Sequence, residues 1–79
     1  MPVLRLFAGI REAAGTGRAE VAGATVGEVL EAAEERFGGR FTAVLGHCRV
    51  WVNGEPAGND HPLSERDEVA LLPPVSGGT

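Results

Sequence analysis

One segment of this chain reads as a long helix, and the rest must be arranged around it. Thr25 stands three residues before Glu28, the spacing that lets two side chains satisfy free N–H groups at a helix start. Val26, Val29, Leu30, Ala33 and Phe37 then recur at helical spacing, and Gly38 supplies the stop. Glu28, Glu31, Glu35 and Arg36 fall on the opposite, solvated face. On either side lie short strand-like stretches: Val3–Ala8 and the weaker Gly17–Gly23 before the helix, Cys48–Asn53 and Glu68–Leu72 after it. A single amphipathic helix can cover only one face of a sheet. The expected class is α+β, in the order β-β-α-β-β.

The remaining segments are weaker signals. Residues 10–15 ("IREAAG") suggest a turn of helix, and 40–45 ("RFTAVL") another. Asn53-Gly54 predicts a tight turn, and residues 55–67 read as loop. A chain of 79 residues is expected to be a single domain over 1–79, with 73–79 as a flexible C-terminal tail. Cys48 is the only cysteine, which excludes an internal disulfide and fits a reducing compartment. The start, "MPVLRLFAG", lacks the features of a signal peptide, and no apolar run approaches the roughly 20 residues of a membrane span. The expectation is a cytoplasmic protein without a membrane partner. Net charge is −4 and the sequence has no basic cluster, which argues against nucleic acid. All seven cations are arginine, so the chain has no lysine through which anything could be attached to it.

Alternation divides the sheet residues between two faces. Leu4, Leu6, Val50, Val52, Val69 and Leu71 are expected to face the helix; Val3, Arg5, Phe7, Arg49, Trp51, Ala70 and Leu72 then face away. Two readings of Phe7, Trp51 and Leu72 stand side by side. Loop residues such as Ile10 or Pro56 fold over them, or they form a docking patch for another protein.

Catalytic constellations are hard to find. His47 and Cys48 are adjacent, and in a strand would point to opposite faces. Together with His61 they do not make a zinc site, so no metal is expected. Gly15–Gly17 ("GTG") lacks the spacing of a nucleotide loop, and Ser64 and Ser76 have no evident base. Glu34-Glu35 and Asp67-Glu68 read as surface charge.

The end, "LLPPVSGGT", is different. Pro73-Pro74 stops the last strand and holds the chain extended, because proline fixes φ and lacks a donor. Pro73, Pro74 and Val75 begin an arm whose residues 73–78 could span roughly 20 Å when extended. Gly77 and Gly78 lack Cβ, so they fit a channel too narrow for side chains.

These residues carry a resemblance. "LRLFAGIREAAGT" and "HPLSERDEVALLPPVSGG" resemble the ubiquitin-like β-grasp sulfur carriers, most closely the small subunit of molybdopterin synthase, over nearly the whole chain. The resemblance implies a β-grasp fold, with one main helix packed on one face of a mixed sheet. It also implies a mechanism: an E1-like enzyme adenylates the Gly78 carboxylate with ATP, and a persulfide donor converts it to a thiocarboxylate. The tail then delivers sulfur inside the large subunit of molybdopterin synthase, which supplies the catalytic residues. The chain itself would be a co-substrate with no catalytic site and no bound cofactor. Phe7 and Leu72 match the family's hydrophobic docking positions. Carriers for cysteine and thiamine synthesis share the fold and are the alternatives, the latter being usually shorter and without the "LLPPVSGG" character.

Thr79 departs from the family, whose mature chains end in glycine. Three readings compete: a precursor from which a C-terminal peptidase removes Thr79, an extraneous terminal residue, or a relative that binds partners without carrying sulfur.

Overall fold

The computed structural model describes residues 1–74. The elements run β1 (Val3–Leu6), α1 (Ala8–Ala14), β2 (Arg18–Glu20), α2 (Val26–Phe37), α3 (Gly39–Leu45), β3 (Arg49–Val52), β4 (Glu55–Pro56) and β5 (Glu68–Leu72). The five strands form one sheet in the order β2-β1-β5-β3-β4. β1 and β5 are parallel neighbours, and every other pairing is antiparallel. This is the mixed sheet of a β-grasp, with α2 as its main helix.

The helix start is built as its spacing requires. Thr25 Oγ1 accepts the Glu28 N–H at 3.2 Å, and Glu28 Oε1 accepts the Ala24 N–H at 2.9 Å. The two remaining first-turn donors reach the loop before β5: Val26 N–H to the His61 carbonyl at 3.0 Å and Gly27 N–H to that of Asn59 at 2.9 Å. That loop is therefore bonded to the helix end and satisfies the Val26 and Gly27 donors there. Gly23 is needed for the close approach of the chain, since a Cβ would stand 2.7 Å from both the Val29 backbone nitrogen and Val29 Cγ2.

The inward face is as alternation predicts. Leu4, Leu6, Val52, Val69 and Leu71 are buried in one cluster with Val26, Val29, Leu30 and Ala33 of α2. Val50 departs, being only partly buried near the edge of that cluster. The single-helix expectation also needs extending. The weak helical turns are two seven-residue helices, α1 and α3, which contribute Ile10 and Phe41 to the same core. Phe41 is the largest fully buried side chain, whereas Phe37 is only partly buried. Their rings meet with centroids 5.2 Å apart, and the Arg36 guanidinium lies 5.3 Å from the Phe37 centroid.

Three strands are shorter than alternation suggests. β1 stops at Leu6 because the chain turns at Ala8, an alanine in the left-handed region with φ 54°. β2 spans only Arg18–Glu20. β3 begins at Arg49 because the Cys48 N–H bonds to the Leu45 carbonyl and stays with the end of α3. The supposed loop 55–67 opens with a strand. Asn53 and Gly54 both take positive φ, 49° and 86°, and fold Glu55–Pro56 back on Trp51 and Val52 as an edge strand.

Candidate functional site

The outward face of the sheet is built by register. In the β1–β5 ladder Arg5 lies beside Ala70 and Leu6 beside Leu71, both of the latter buried inward. Phe7 and Leu72, one residue further along parallel neighbours, thus come abreast at the same end of the sheet and point outward. In the β3–β5 ladder Arg49 lies beside Leu72, and Trp51 beside Ala70. Ala70, the smallest of these side chains, occupies the middle, with Trp51 and Arg5 on its two sides.

Phe7 is 39% exposed, and Trp51, Ala70 and Leu72 are partly exposed. Neither Ile10 nor Pro56 folds over them as a cover. Ile10 points into the core at 1% exposure, and Pro56 is itself exposed beside Trp51 on the edge strand. The Arg5 guanidinium sits 5.9 Å from the Phe7 ring centroid, and its Nη1 is 3.3 Å from Glu68 Oε2. Phe7 itself has extended φ of −134° and caps α1, so the left-handed turn at Ala8 lifts the chain off the sheet and leaves the ring uncovered by backbone.

β5 runs straight into the arm. Leu72 still pairs with Arg49, and Pro73 and Pro74 follow, both exposed. The arm therefore leaves from the Phe7–Leu72 end of the outward face. Val75, Ser76, Gly77, Gly78 and Thr79 lie outside the described residues.

The other polar candidates are dispersed. His47 and Cys48 are not in a strand, so the face argument applied to them does not hold. Cys48 is partly buried, its thiol 3.5 Å from the Val44 carbonyl, and burial pushes its pKa above the ordinary value. Asp67 ties the loop before β5 to the β3–β4 turn. Its Oδ2 accepts the Ser64 N–H at 2.8 Å, and its Oδ1 accepts from Asn53 Nδ2 at 2.9 Å. Those bonds, the Ser64 N–H first, hold its carboxyl below the usual range. Among the described residues no group of three or more His, Cys, Asp or Glu could hold a metal ion. No helix among them is long and apolar enough to cross a membrane.

A family model described as "ThiS family" matches residues 4–78, ending at Gly78 and leaving Thr79 beyond the match. The small archaeal modifier protein 1 of Haloferax volcanii is 42% identical over 84 aligned residues, covering 94% of this chain and 97% of that protein. A crystal structure of SAMP1 from Haloferax volcanii superposes with a TM-score of 0.79 at 38% identity, covering 98% of each chain. The molybdopterin synthase sulfur carrier subunit of Escherichia coli is 41% identical over 76 residues, covering 91% of this chain and 93% of that one. A third likeness, at TM-score 0.72 and 26% identity over 98% of this chain and 97% of that one, is to a complex of subunits 1 and 2 of the molybdopterin-converting factor from Helicobacter pylori. Relatives of this fold thus include both a sulfur carrier and a modifier, and one is seen bound to a partner protein. With nearly its whole length matched, the chain belongs to the ThiS family of small ubiquitin-like sulfur carriers and modifiers.

Proposed function

We propose that this chain, a single domain carrying residues 73–79 as an arm, is a cytoplasmic sulfur carrier whose reactive end is Gly78, and that it serves molybdopterin synthesis. The observation that carries the reading is the geometry of the exit. β5 delivers Pro73-Pro74 directly from the end of the sheet where Phe7 and Leu72 are exposed. A partner seated on Phe7, Trp51 and Leu72 would take up Pro73, Pro74 and Val75 along its surface and receive Gly77-Gly78 in its active site. The family match ending at Gly78 and the sulfur carrier subunit among the relatives support the same assignment.

The chemistry requires no catalytic group from this chain. An E1-like enzyme lets the Gly78 carboxylate attack the α-phosphorus of ATP, and pyrophosphate leaves. The terminal sulfur of a persulfide then attacks the acyl carbon and displaces AMP. A thiol cleaves the resulting S–S bond, leaving the thiocarboxylate here and a disulfide on the donor side. ATP is the activating enzyme's substrate, and no cofactor resides on the carrier. The large subunit of molybdopterin synthase receives the tail and performs the transfer. While Thr79 is present, the Gly78 carbonyl is held in a peptide bond and the free carboxylate is displaced by one residue. A C-terminal peptidase removes it first.

A second reading rests on the modifier relative. In it, the activated Gly78 is transferred to an amine of another protein. Cysteine or thiamine synthesis are further destinations for the same sulfur.

The test is intact-mass spectrometry after incubation with the E1-like enzyme of the same genome, ATP and a persulfide source. The chain ending at Gly78 should gain about 16 Da, sulfur replacing oxygen, and the chain ending at Thr79 should not. A Gly78-ended chain that never gains this mass would sink the carrier reading. Complementation then separates destinations: rescue of a strain lacking its molybdopterin synthase small subunit supports this proposal, and rescue of only a cysteine-synthesis mutant refutes it.

A further inference from the structure

The antiparallel register of β1 and β2 sets Arg5 directly across from Arg18. Both side chains stand on the outward face, because their neighbours Leu4 and Ala19, paired with each other, are buried inward. Like charges directly opposite in a sheet repel, and the fold gains nothing from placing them so. Arg5 has a carboxylate partner in Glu68, but among the described residues neither Arg18 nor Arg11 has one. Arg11 joins them from α1. Its side chain lies close against Gly17, where an added Cβ would stand 3.2 Å from Arg11 Nε. Arg5, Phe7, Arg11, Thr16 and Arg18 line one shallow hollow that contains no acid.

The charges of the chain are unevenly spread, although Glu20 and Glu68, on either side of Val3, share the outward face with the arginines. Its net charge is −4, and Glu28, Glu31, Glu34 and Glu35 lie on α2, which packs on the opposite face of the sheet. Yet the outward face ends in Arg5, Arg18 and Arg49, with Arg11 beside them, around Phe7 and Leu72. The Glu68 carboxylate offsets Arg5 alone, and a local electrostatic conflict that leaves Arg18 and Arg11 without a carboxylate marks a position shaped by something other than the fold.

We infer that the Arg5–Arg18 pair, with Arg11, is an electrostatic seat for a cluster of carboxylates on the protein that docks over Phe7 and Leu72. This rests on the docking part of the proposed function and adds the partner's chemistry. At least two carboxylates, positioned beside an apolar knob that meets Phe7, would pair with the guanidinium groups of Arg18 and Arg11 next to the Glu68-paired Arg5. Arginine forks suit carboxylates because each can bond bidentately. A polyanionic nucleic acid is a poorer fit. The overall charge repels it, and the exposed apolar residues beside the arginines call for a partner with apolar surface of its own.

Such a rim acts mainly on the association rate. The probe is the E1-like adenylating enzyme encoded in the same genome, titrated on the immobilised chain between about 20 and 300 mM NaCl. The wild-type association rate should fall roughly tenfold across that range, and Arg18→Glu should lower the low-salt rate by about the same factor with little change in dissociation. Arg18→Glu places a carboxylate across from Arg5, so its melting temperature should match or exceed the wild type's, which excludes misfolding as the cause. Arg40→Glu, on α3, is the control for net charge and should leave the rate within about twofold.

The proposal is overturned if the wild type shows no binding, if Arg18→Glu associates as fast as wild type, or if Arg40→Glu slows association equally. An Arg18-dependent complex with single-stranded RNA in near-physiological salt would overturn it in favour of a nucleic-acid surface. A salt-sensitive dimer in sedimentation would do so in favour of a second copy of this chain. The outcomes separate from the carrier reading. Loss of binding in Leu72→Arg with full binding in Arg18→Glu refutes the carboxylate seat alone. Arg18-dependent binding without any mass gain at Gly78 supports the seat and refutes sulfur loading alone.

Discussion

Truncating Phe41 to alanine is the sharpest test of how this core is organised. The ring is fully buried, the largest such side chain in the fold. A buried aromatic removes about 150–250 Å² from water, and at about 25 cal/mol per Å² the gain is roughly 4–6 kcal/mol, an upper bound. Phenylalanine truncations in cores cost about 3–5 kcal/mol. A chain of this length has roughly 4–12 kcal/mol of total stability, so Phe41→Ala should remove a large share of it. Phe37 shares the aromatic contact but is only partly buried, and Arg36 lies over its ring. Its truncation should cost at least about 1 kcal/mol less. Thermal and urea melts followed by circular dichroism decide: Phe41→Ala should lower the midpoint by more than about 10 °C, and Phe37→Ala by distinctly less. Should Phe41→Ala fail to fold, Phe41→Leu, expected to cost about 1.5 kcal/mol or less, keeps the comparison measurable. A Phe37 truncation as damaging as that of Phe41 would refute the reasoning.

Two further outcomes follow from local geometry. Gly23→Ala drives a Cβ to 2.7 Å from the Val29 backbone, so it should cost about 1–3 kcal/mol by displacing the start of α2, read as a lowered urea midpoint. Asp67 has its pKa held below 3.8 in the folded state, so its carboxylate bonds stabilise the fold above that value and are lost as pH falls through the lowered one. Asp67→Asn should therefore be less stable than wild type at pH 7, with the gap closing below about pH 4 in acid-dependent melts; a gap that persists there contradicts the assignment.

What the sequence discloses and what it withholds divide along local and non-local lines. Thr25 and Glu28 announce the start of α2 because both partners of the capping bonds lie within one turn. Asn53-Gly54 announces its turn because two residues tolerating positive φ suffice. Phe41 is overlooked as a core residue because Gly38-Gly39 interrupts the helical pattern and α3 is short; its one signal is the spacing Phe37, Phe41, Leu45 across the break. β4 has no strand-like composition, and Glu55–Pro56 is paired only because the turn folds it there. The division into two faces is legible from alternation, but not the adjacency of Phe7 with Leu72 or of Arg5 with Arg18. Those depend on which strands become neighbours, and the parallel β1–β5 ladder joins residues more than sixty positions apart.

The position of β5 has a mechanical consequence. It is the middle strand of the five, bonded on both sides along most of its length, and the arm is its direct continuation. A partner that grips Pro73 and Pro74 and pulls along the arm loads both ladders in shear, so their hydrogen bonds resist together instead of opening one at a time. An arm attached to an edge strand would peel away under the same force. A machine that tried to unravel the chain from this end would have to break the centre of the sheet first, while a partner drawing the arm into a deep cleft can hold tension against it and leave the fold whole.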